Sequence, residues 1–229
     1  MRILLTLVAL VACSAPLAAQ DEASRLLGSC SEGDGRACVR LAQLYAQGLG
    51  VTQDVPRAEQ LSLVGCDAGA PEGCAQLGRW LLQGLYRSPD PPRAIELFRR
   101  ACEAGDGGGC NEAALAYERG TGAIPNLGTA ISYASRACER RAPQACLRLG
   151  DRFDRGLDVA RDGGRAAQYF ELGCAQGEPN NCVRLAELYE HGRGVTPDLA
   201  RAVRYYRRAC DVGNSRACEL ALLRERGLP

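Results

Sequence analysis

The stretch ACVRLAQLYAQGLGVTQDVPRAEQLSLVGCDAG, Ala37 to Gly69, reads as one helical hairpin. Cys38, Leu41, Ala42 and Tyr45 fall at i, i+3, i+4 and i+7, the apolar stripe of an amphipathic helix. Gly48 stands where that stripe stops, and glycine accepts the left-handed conformation that closes many helices. Asp54 is placed to cap a second helix, its carboxylate accepting an otherwise orphan backbone N–H. Pro56 falls within the first turn, where a missing N–H does no harm. Cys66 and Gly69 close the second helix.

Working outward, the same signals return every 36 residues. Leaving Cys13 aside, the cysteines stand at 30, 38, 66, 74, 102, 110, 138, 146, 174, 182, 210 and 218, eight apart within a pair and 36 from pair to pair. Gly48, Gly84, Gly120, Gly156 and Gly192 keep that period, as do Ala58, Ala94, Ala130, Ala166 and Ala202. Asp54, Asp90, Asn126, Asp162 and Asp198 form a capping column, and Tyr45, Leu81, Tyr117, Phe153 and Tyr189 an apolar one. A period of this length means stacked supersecondary units, each burying its face against its neighbours. The predicted fold is therefore all-α, a solenoid of two-helix repeats. Its full units are 36–71, 72–107, 108–143, 144–179 and 180–215, with capping helices near 22–33 and 215–226. The small alanine columns let the helices approach closely.

Each C-x7-C pair straddles the turn between the second helix of one unit and the first helix of the next. Around Cys102 and Cys110 the turn is expected to span Glu103–Gly109, with Cys110 opening the following helix. The predicted disulfides are Cys30–Cys38, Cys66–Cys74, Cys102–Cys110, Cys138–Cys146, Cys174–Cys182 and Cys210–Cys218, one per repeat junction. Other pairings stay formally open from sequence, and a local pair repeated six times is the simplest. Structural zinc sites place cysteines two to four apart and often add histidine; a spacing of eight with a single histidine does not supply that, so no metal site is expected. The C-x-x-C of thiol–disulfide catalysis is absent.

The amino terminus reads as a secretory signal peptide over residues 1–19: Arg2, an apolar run from Ile3 to Ala12, then small residues with cleavage after Ala19. Leu10-Val11-Ala12-Cys13 also resembles a lipobox, which would leave Cys13 as a lipidated terminus. Either route leads out of the cytoplasm, to a periplasmic or secreted solenoid over 20–229, and no stretch reaches the length of a transmembrane helix. The 229 residues carry 28 basic and 27 acidic side chains, a net charge of +1, without the basic excess of a general nucleic-acid binder.

The pattern A-C-x-x-L-A-x-L-Y-x-x-G-x-G-V-x-x-D at Ala37–Asp54, followed by R-A-x7-C-x-x-G at Arg57–Gly69, resembles the Sel-one-like repeat, a longer relative of the tetratricopeptide repeat. With a cysteine pair per unit and a signal peptide, the chain looks like the cysteine-rich exported branch of that family. The resemblance covers about residues 22–226 and implies a right-handed α/α superhelix. Leu157-Asp158-Val159 and Leu85-Tyr86-Arg87-Ser88-Pro89 depart from the loop pattern of the other units. Functionally, the resemblance implies a non-catalytic adaptor that binds a protein or peptide along the concave face, here expected to be a monomer. It also implies an alternative, because some cysteine-rich exported members, the Hcp-type proteins, are described as penicillin-binding or β-lactamase proteins: β-lactam binding or weak hydrolysis.

The residues themselves offer that enzyme little. The chain has no lysine, so S-x-x-K and K-T-G do not exist in it. His191 is the sole histidine, too few for a zinc β-lactamase. The run Gly105-Asp106-Gly107-Gly108-Gly109 lacks the lysine of a phosphate loop. No catalytic residue, cofactor or cofactor-binding residue is expected. The candidate partner-binding residues are Arg40, Arg148 and Arg184 in one first-helix column and Arg119, Arg155 and His191 in another, arginine forks being suited to carboxylates. Trp80, on a first helix, is read as packing.

Overall fold

The computed structural model describes residues 17–85 and 88–228, which form twelve α-helices; no strand occurs among the described residues. The chain divides into two compact units, one up to Ala70 and one from Pro71 onward. The first holds α1 (Leu17–Ser31), α2 (Gly35–Gln47) and α3 (Val55–Asp67), packed in sequence. The second holds α4 (Pro71–Gln83), α5 (Pro91–Glu103), α6 (Gly107–Arg119), α7 (Leu127–Glu139), α8 (Pro143–Arg155), α9 (Gly163–Ala175), α10 (Pro179–His191), α11 (Leu199–Asp211) and α12 (Ser215–Glu225). There each helix packs on the next, and α4 touches α6, α7 touches α9 and α8 touches α10, the neighbour-only pattern of a solenoid.

The capping column does what its chemistry predicts. Asp54, Asp90, Asn126, Asp162 and Asp198 each accept a hydrogen bond from the backbone N–H three residues on, at 2.8–3.2 Å. The backbone N–H of each capping residue in turn donates to the carbonyl of Tyr45, Leu81, Tyr117, Phe153 or Tyr189, at 2.8–2.9 Å. One residue thus starts the second helix and ties the connecting loop to the end of the first. Gly48, Gly120, Gly156 and Gly192 close first helices in the left-handed conformation, with φ of 65–72°.

Two glycine columns are broken by other residues without any change of backbone. Gly33, Gly69, Gly105, Gly177 and Gly213 all have positive φ, and the remaining slot of that column, Arg141, takes φ 63°. Gly50, Gly122 and Gly194 have φ of 73–79°, and Asp158 in the same column takes φ 57°. The Leu157-Asp158-Val159 departure therefore keeps the loop path of the other units.

Sulfur pairing follows the local pattern. Cys30–Cys38, Cys102–Cys110, Cys138–Cys146, Cys174–Cys182 and Cys210–Cys218 are disulfides with Cα–Cα distances of 4.4–4.8 Å, and Cys66 and Cys74 are both disulfide-bonded. The junctions are tighter than the sequence reading. The expected turn Glu103–Gly109 is only Ala104–Asp106, and the three glycines that follow form the first turn of α6. Asp106 accepts from Gly109 N at 2.6 Å and from Gly108 N at 3.3 Å, starting the helix early. A Cβ at Gly107 would collide with the Arg140 carbonyl, and one at Gly109 would lie 2.5 Å from the Ala101 side chain, so the glycines serve close packing.

The leading helix also differs in extent. α1 begins at Leu17, ahead of the expected start near 22, and ends at Ser31; the closing helix, Ser215–Glu225, lies within the expected bounds. The expected signal peptide lies outside the described residues up to position 16, as does Cys13, while Leu17–Ala19 open α1.

The core is built from the alanine columns and a few large side chains. Ala58, Ala94, Ala130, Ala166 and Ala202 are buried, as are Leu41, Leu77, Leu149 and Leu185. Phe98 and Phe170 are fully buried, and each lies against a glycine of the preceding first helix, Gly78 and Gly150.

Candidate partner-binding face

The two candidate columns, identical in periodicity, meet different surroundings. Arg40 in the first unit is exposed and reaches Glu22 at 2.9 Å. In the second unit Arg184 is half-buried and doubly paired, to Asp151 at 2.6 Å and Glu187 at 3.0 Å. Burial would lower the pKa of its guanidinium, but the two carboxylates outweigh it and the net shift is upward. Arg148 is half-buried with a neutral acceptor, Asn111 Oδ1, at 2.8 Å, and burial lowers its pKa. In the second unit, Arg148 and Arg184 thus each reach back to the preceding repeat, to Asn111 and Asp151.

Arg119, Arg155 and His191 are the last residues of α6, α8 and α10. All three are exposed, and none makes a hydrogen bond or ion pair with another described residue. Their register follows from the helix ends: the left-handed glycine after each stops the helix at the same point in every repeat. Positive charge at that end also complements the helix dipole. The structure thus brings Arg119, Arg155 and His191 to one equivalent place in three successive units and leaves their polar heads available.

An ionic chain that periodicity alone does not reveal links α8 and α10 and the loop after α10. Asp151 pairs with Arg184, Arg184 with Glu187, Glu187 with Arg193 at 3.6 Å, and Arg193 with Asp154 at 2.9 Å. Asp154 is buried, and its backbone carbonyl accepts from Arg161 Nε at 2.7 Å. A second group lies nearer the carboxyl end. Glu190 accepts from Tyr206 Oη at 2.8 Å and pairs with Arg224 at 2.6 Å. Burial alone would raise the Glu190 pKa; the hydrogen bonds from Tyr206 and Arg224 prevail and hold it below its ordinary value. Burial, then the Glu190 carboxylate, pushes the Tyr206 hydroxyl up.

A ladder of aromatic rings lies outside the two candidate columns. Tyr117 stacks on Tyr133, Phe153 on Tyr169 and Tyr189 on Tyr205, with ring centroids 5.6–5.8 Å apart. Arg57, Arg165 and Arg201 lie over Tyr45, Phe153 and Tyr189 at 4.4, 3.9 and 5.4 Å from the ring centre. The signal was present, because Tyr133, Tyr169 and Tyr205 are themselves 36 apart. Each stack joins the first and second helix of one repeat, which makes these rings packing within the repeat.

Among the described residues no group of histidine, cysteine, aspartate and glutamate is arranged to hold a metal ion, and no helix is long and apolar enough to cross a membrane. Disulfide-bonding of all twelve cysteines outside residues 1–16 is characteristic of chains that fold in an oxidising compartment.

Residues 35–69, 71–106, 109–141, 143–178 and 182–214 match the Sel1 repeat. No curated protein matches the chain. Among solved structures, a Sel1 repeat protein from Oxalobacter formigenes is 25% identical, with 86% of this chain and 81% of that one covered and a TM-score of 0.70. The c5321 protein, a protective antigen of uropathogenic Escherichia coli strains with an SLR fold, is 23% identical over 87% of this chain and 43% of that one, with a TM-score of 0.67. Cysteine rich protein B of Helicobacter pylori is 30% identical over 56% of this chain and 92% of that one, with a TM-score of 0.44.

Proposed function

The chain belongs to the Sel1 repeat family, and on that basis we propose that it is an exported, non-catalytic scaffold that binds a protein or peptide along the face formed by its first helices. The observation that carries this reading is the placement of Arg119, Arg155 and His191: exposed, unengaged, in equivalent positions of three successive repeats, on helices held by disulfides. An extended partner passing over that row meets a polar head once per repeat, and the arginine forks suit its carboxylates and backbone carbonyls. The oxidised cysteines support a periplasmic or secreted location for the work. Arg148 and Arg184 belong to the same proposal in a different capacity, since changing either also disturbs internal packing.

The test is binding of peptides selected from a displayed library against the oxidised protein, followed by charge reversal. Arg119→Glu combined with Arg155→Glu and His191→Glu is expected to weaken the selected peptides by about tenfold or more, as for loss of charge-assisted contacts. Arg204→Glu, an exposed change on the second helix α11, is the control and is expected to have little effect. Equal effects from the two would overturn the assignment of the face. The purified oxidised protein is expected to leave a chromogenic cephalosporin intact, and turnover that tracks the protein through purification would overturn the non-catalytic part.

A further inference from the structure

The repeat lattice leaves one arginine, Arg148, without an ion-paired carboxylate of its own. Arg184 finds Asp151 thirty-three residues before it and Glu187 three after it. Arg148 occupies the same column one repeat earlier, but its first offset holds Leu115, and Asp151 at the second is taken by Arg184. Asn111 Oδ1 engages one of the five N–H donors of Arg148 and supplies no charge. A half-buried cation with a single neutral partner is costly unless something else completes it.

Arg148 lines a narrow recess of about 20 Å³ between α6, α7 and α8, beside Arg152 and over an apolar floor that includes Ala130, Ile131 and Leu149. Glu118 stands at the same recess, and its charge is met by Arg152, with Asp158 3.9 Å from that guanidinium on the other side. At longer range Arg119 adds a positive charge and Glu112 a negative one. The charges of this neighbourhood balance, three arginines against three carboxylates, but among the described residues Arg148 has no carboxylate within ion-pair distance, and it faces a space about the size of a single water molecule.

We propose that this recess is a carboxylate seat: one oxygen of a bound peptide's carboxylate enters it and accepts from Arg148, while the adjoining aliphatic carbons rest on Ile131 and Leu149. The inference deepens the peptide-binding reading and rests on it. The carboxylate has two possible sources, the chain terminus or an acidic side chain.

The experiment uses the intact oxidised protein, isotope-labelled, and three probes: N-acetyl-Ala-Ala-Leu as the free acid, the same peptide as its amide, and N-acetyl-Ala-Glu-Leu amide. The signals read are the Arg148 side-chain N–H and the Ile131 methyl. The uncharged amide is expected to move neither. The free acid moving both assigns the seat to a chain terminus, and the glutamyl amide moving both assigns it to a side chain. Arg148→Met, checked for unchanged melting, is expected to weaken the active probe about tenfold or more. If neither carboxylate moves the signals, or the neutral amide moves them equally, the seat does not exist. Library-selected peptides that bind wild type and Arg148→Met alike would overturn the seat and leave the scaffold reading intact. Selected peptides that fail to bind wild type would overturn the scaffold reading itself. Should Arg148→Met not fold, the titrations of the wild type still decide.

Discussion

Arg141 carries a cost that its column neighbours avoid. Five glycines of that column take positive φ freely, whereas an L side chain in the left-handed region is strained by about 1 kcal/mol. Arg141 is exposed, so nothing in the core depends on it. Arg141→Gly is therefore expected to raise the melting temperature, stabilising by up to about 1 kcal/mol, less the extra freedom glycine has when unfolded. An unchanged or lowered melting temperature would show that the Arg141 side chain contributes more than the backbone loses. Glu190 makes a pH-dependent contribution. Because its folded pKa lies below its ordinary value, the stability it supplies is present above the unfolded carboxylate pKa, about 4.3, and is lost as pH falls through the folded value. The melting-temperature gap between wild type and Glu190→Gln should accordingly be widest near neutral pH and close as the solution is acidified below about pH 4. A gap independent of pH would mean that the Tyr206 and Arg224 contacts do not act through the carboxylate charge.

At the scale of helices, one chain shows the same packing problem solved in alternating ways. Where the first helix offers glycine, at Gly78 and Gly150, the second helix of the repeat fills the space with Phe98 and Phe170; where it offers Ala114, the second helix carries Ala134. Gly150→Ala would drive a methyl into the Phe170 ring and is expected to destabilise by about 1–3 kcal/mol, the range for an overpacked core, read as a lower denaturant midpoint. The double change Gly150→Ala with Phe170→Leu should recover part of that loss, and no recovery would mean that the contact is not the source. Helices, caps and sulfur pairs were legible because each is fixed by a residue type at a repeated spacing. The junction at Gly107–Gly109 was misjudged because glycine reads as a turn signal until the neighbouring Arg140 carbonyl is known to demand it. The candidate face was only half legible for a similar reason. Periodicity puts Arg184 and Arg155 each in a column, but whether a guanidinium faces Asp151 or solvent depends on offsets of 33 between repeats, which a single column does not show.

For the molecule as a whole, stability is a sum of short-range joints, since within each unit the main contacts of the described helices are with the next helix and the one after it. A disulfide closing a loop of about nine residues contributes on the order of 2–3 kcal/mol at each joint in the chain-entropy account. Side chains add to it: Gln176 Nε2 donates to the carbonyl of Cys138 at 2.7 Å, and Arg140 donates to that of Cys102, linking one junction to the next. Exposure differs along the chain. Cys102, Cys110, Cys138 and Cys146 are fully buried, whereas Cys210 and Cys218 are both partly exposed and lie beside an open cavity of about 460 Å³. Access controls thiol–disulfide exchange, so limited reductant followed by alkylation and mass spectrometry should label Cys210 and Cys218 before the buried pairs, and simultaneous labelling would argue for global opening. The central claim is that sulfur pairs at every junction hold a repeat stack that its small, alanine-rich core does not secure alone. Helical circular dichroism of the protein, followed through thermal melting before and after full reduction and thiol blocking, tests it most directly. A marked fall in melting temperature or loss of helix on reduction is the predicted result; a reduced chain as helical and as heat-stable as the oxidised one would contradict it.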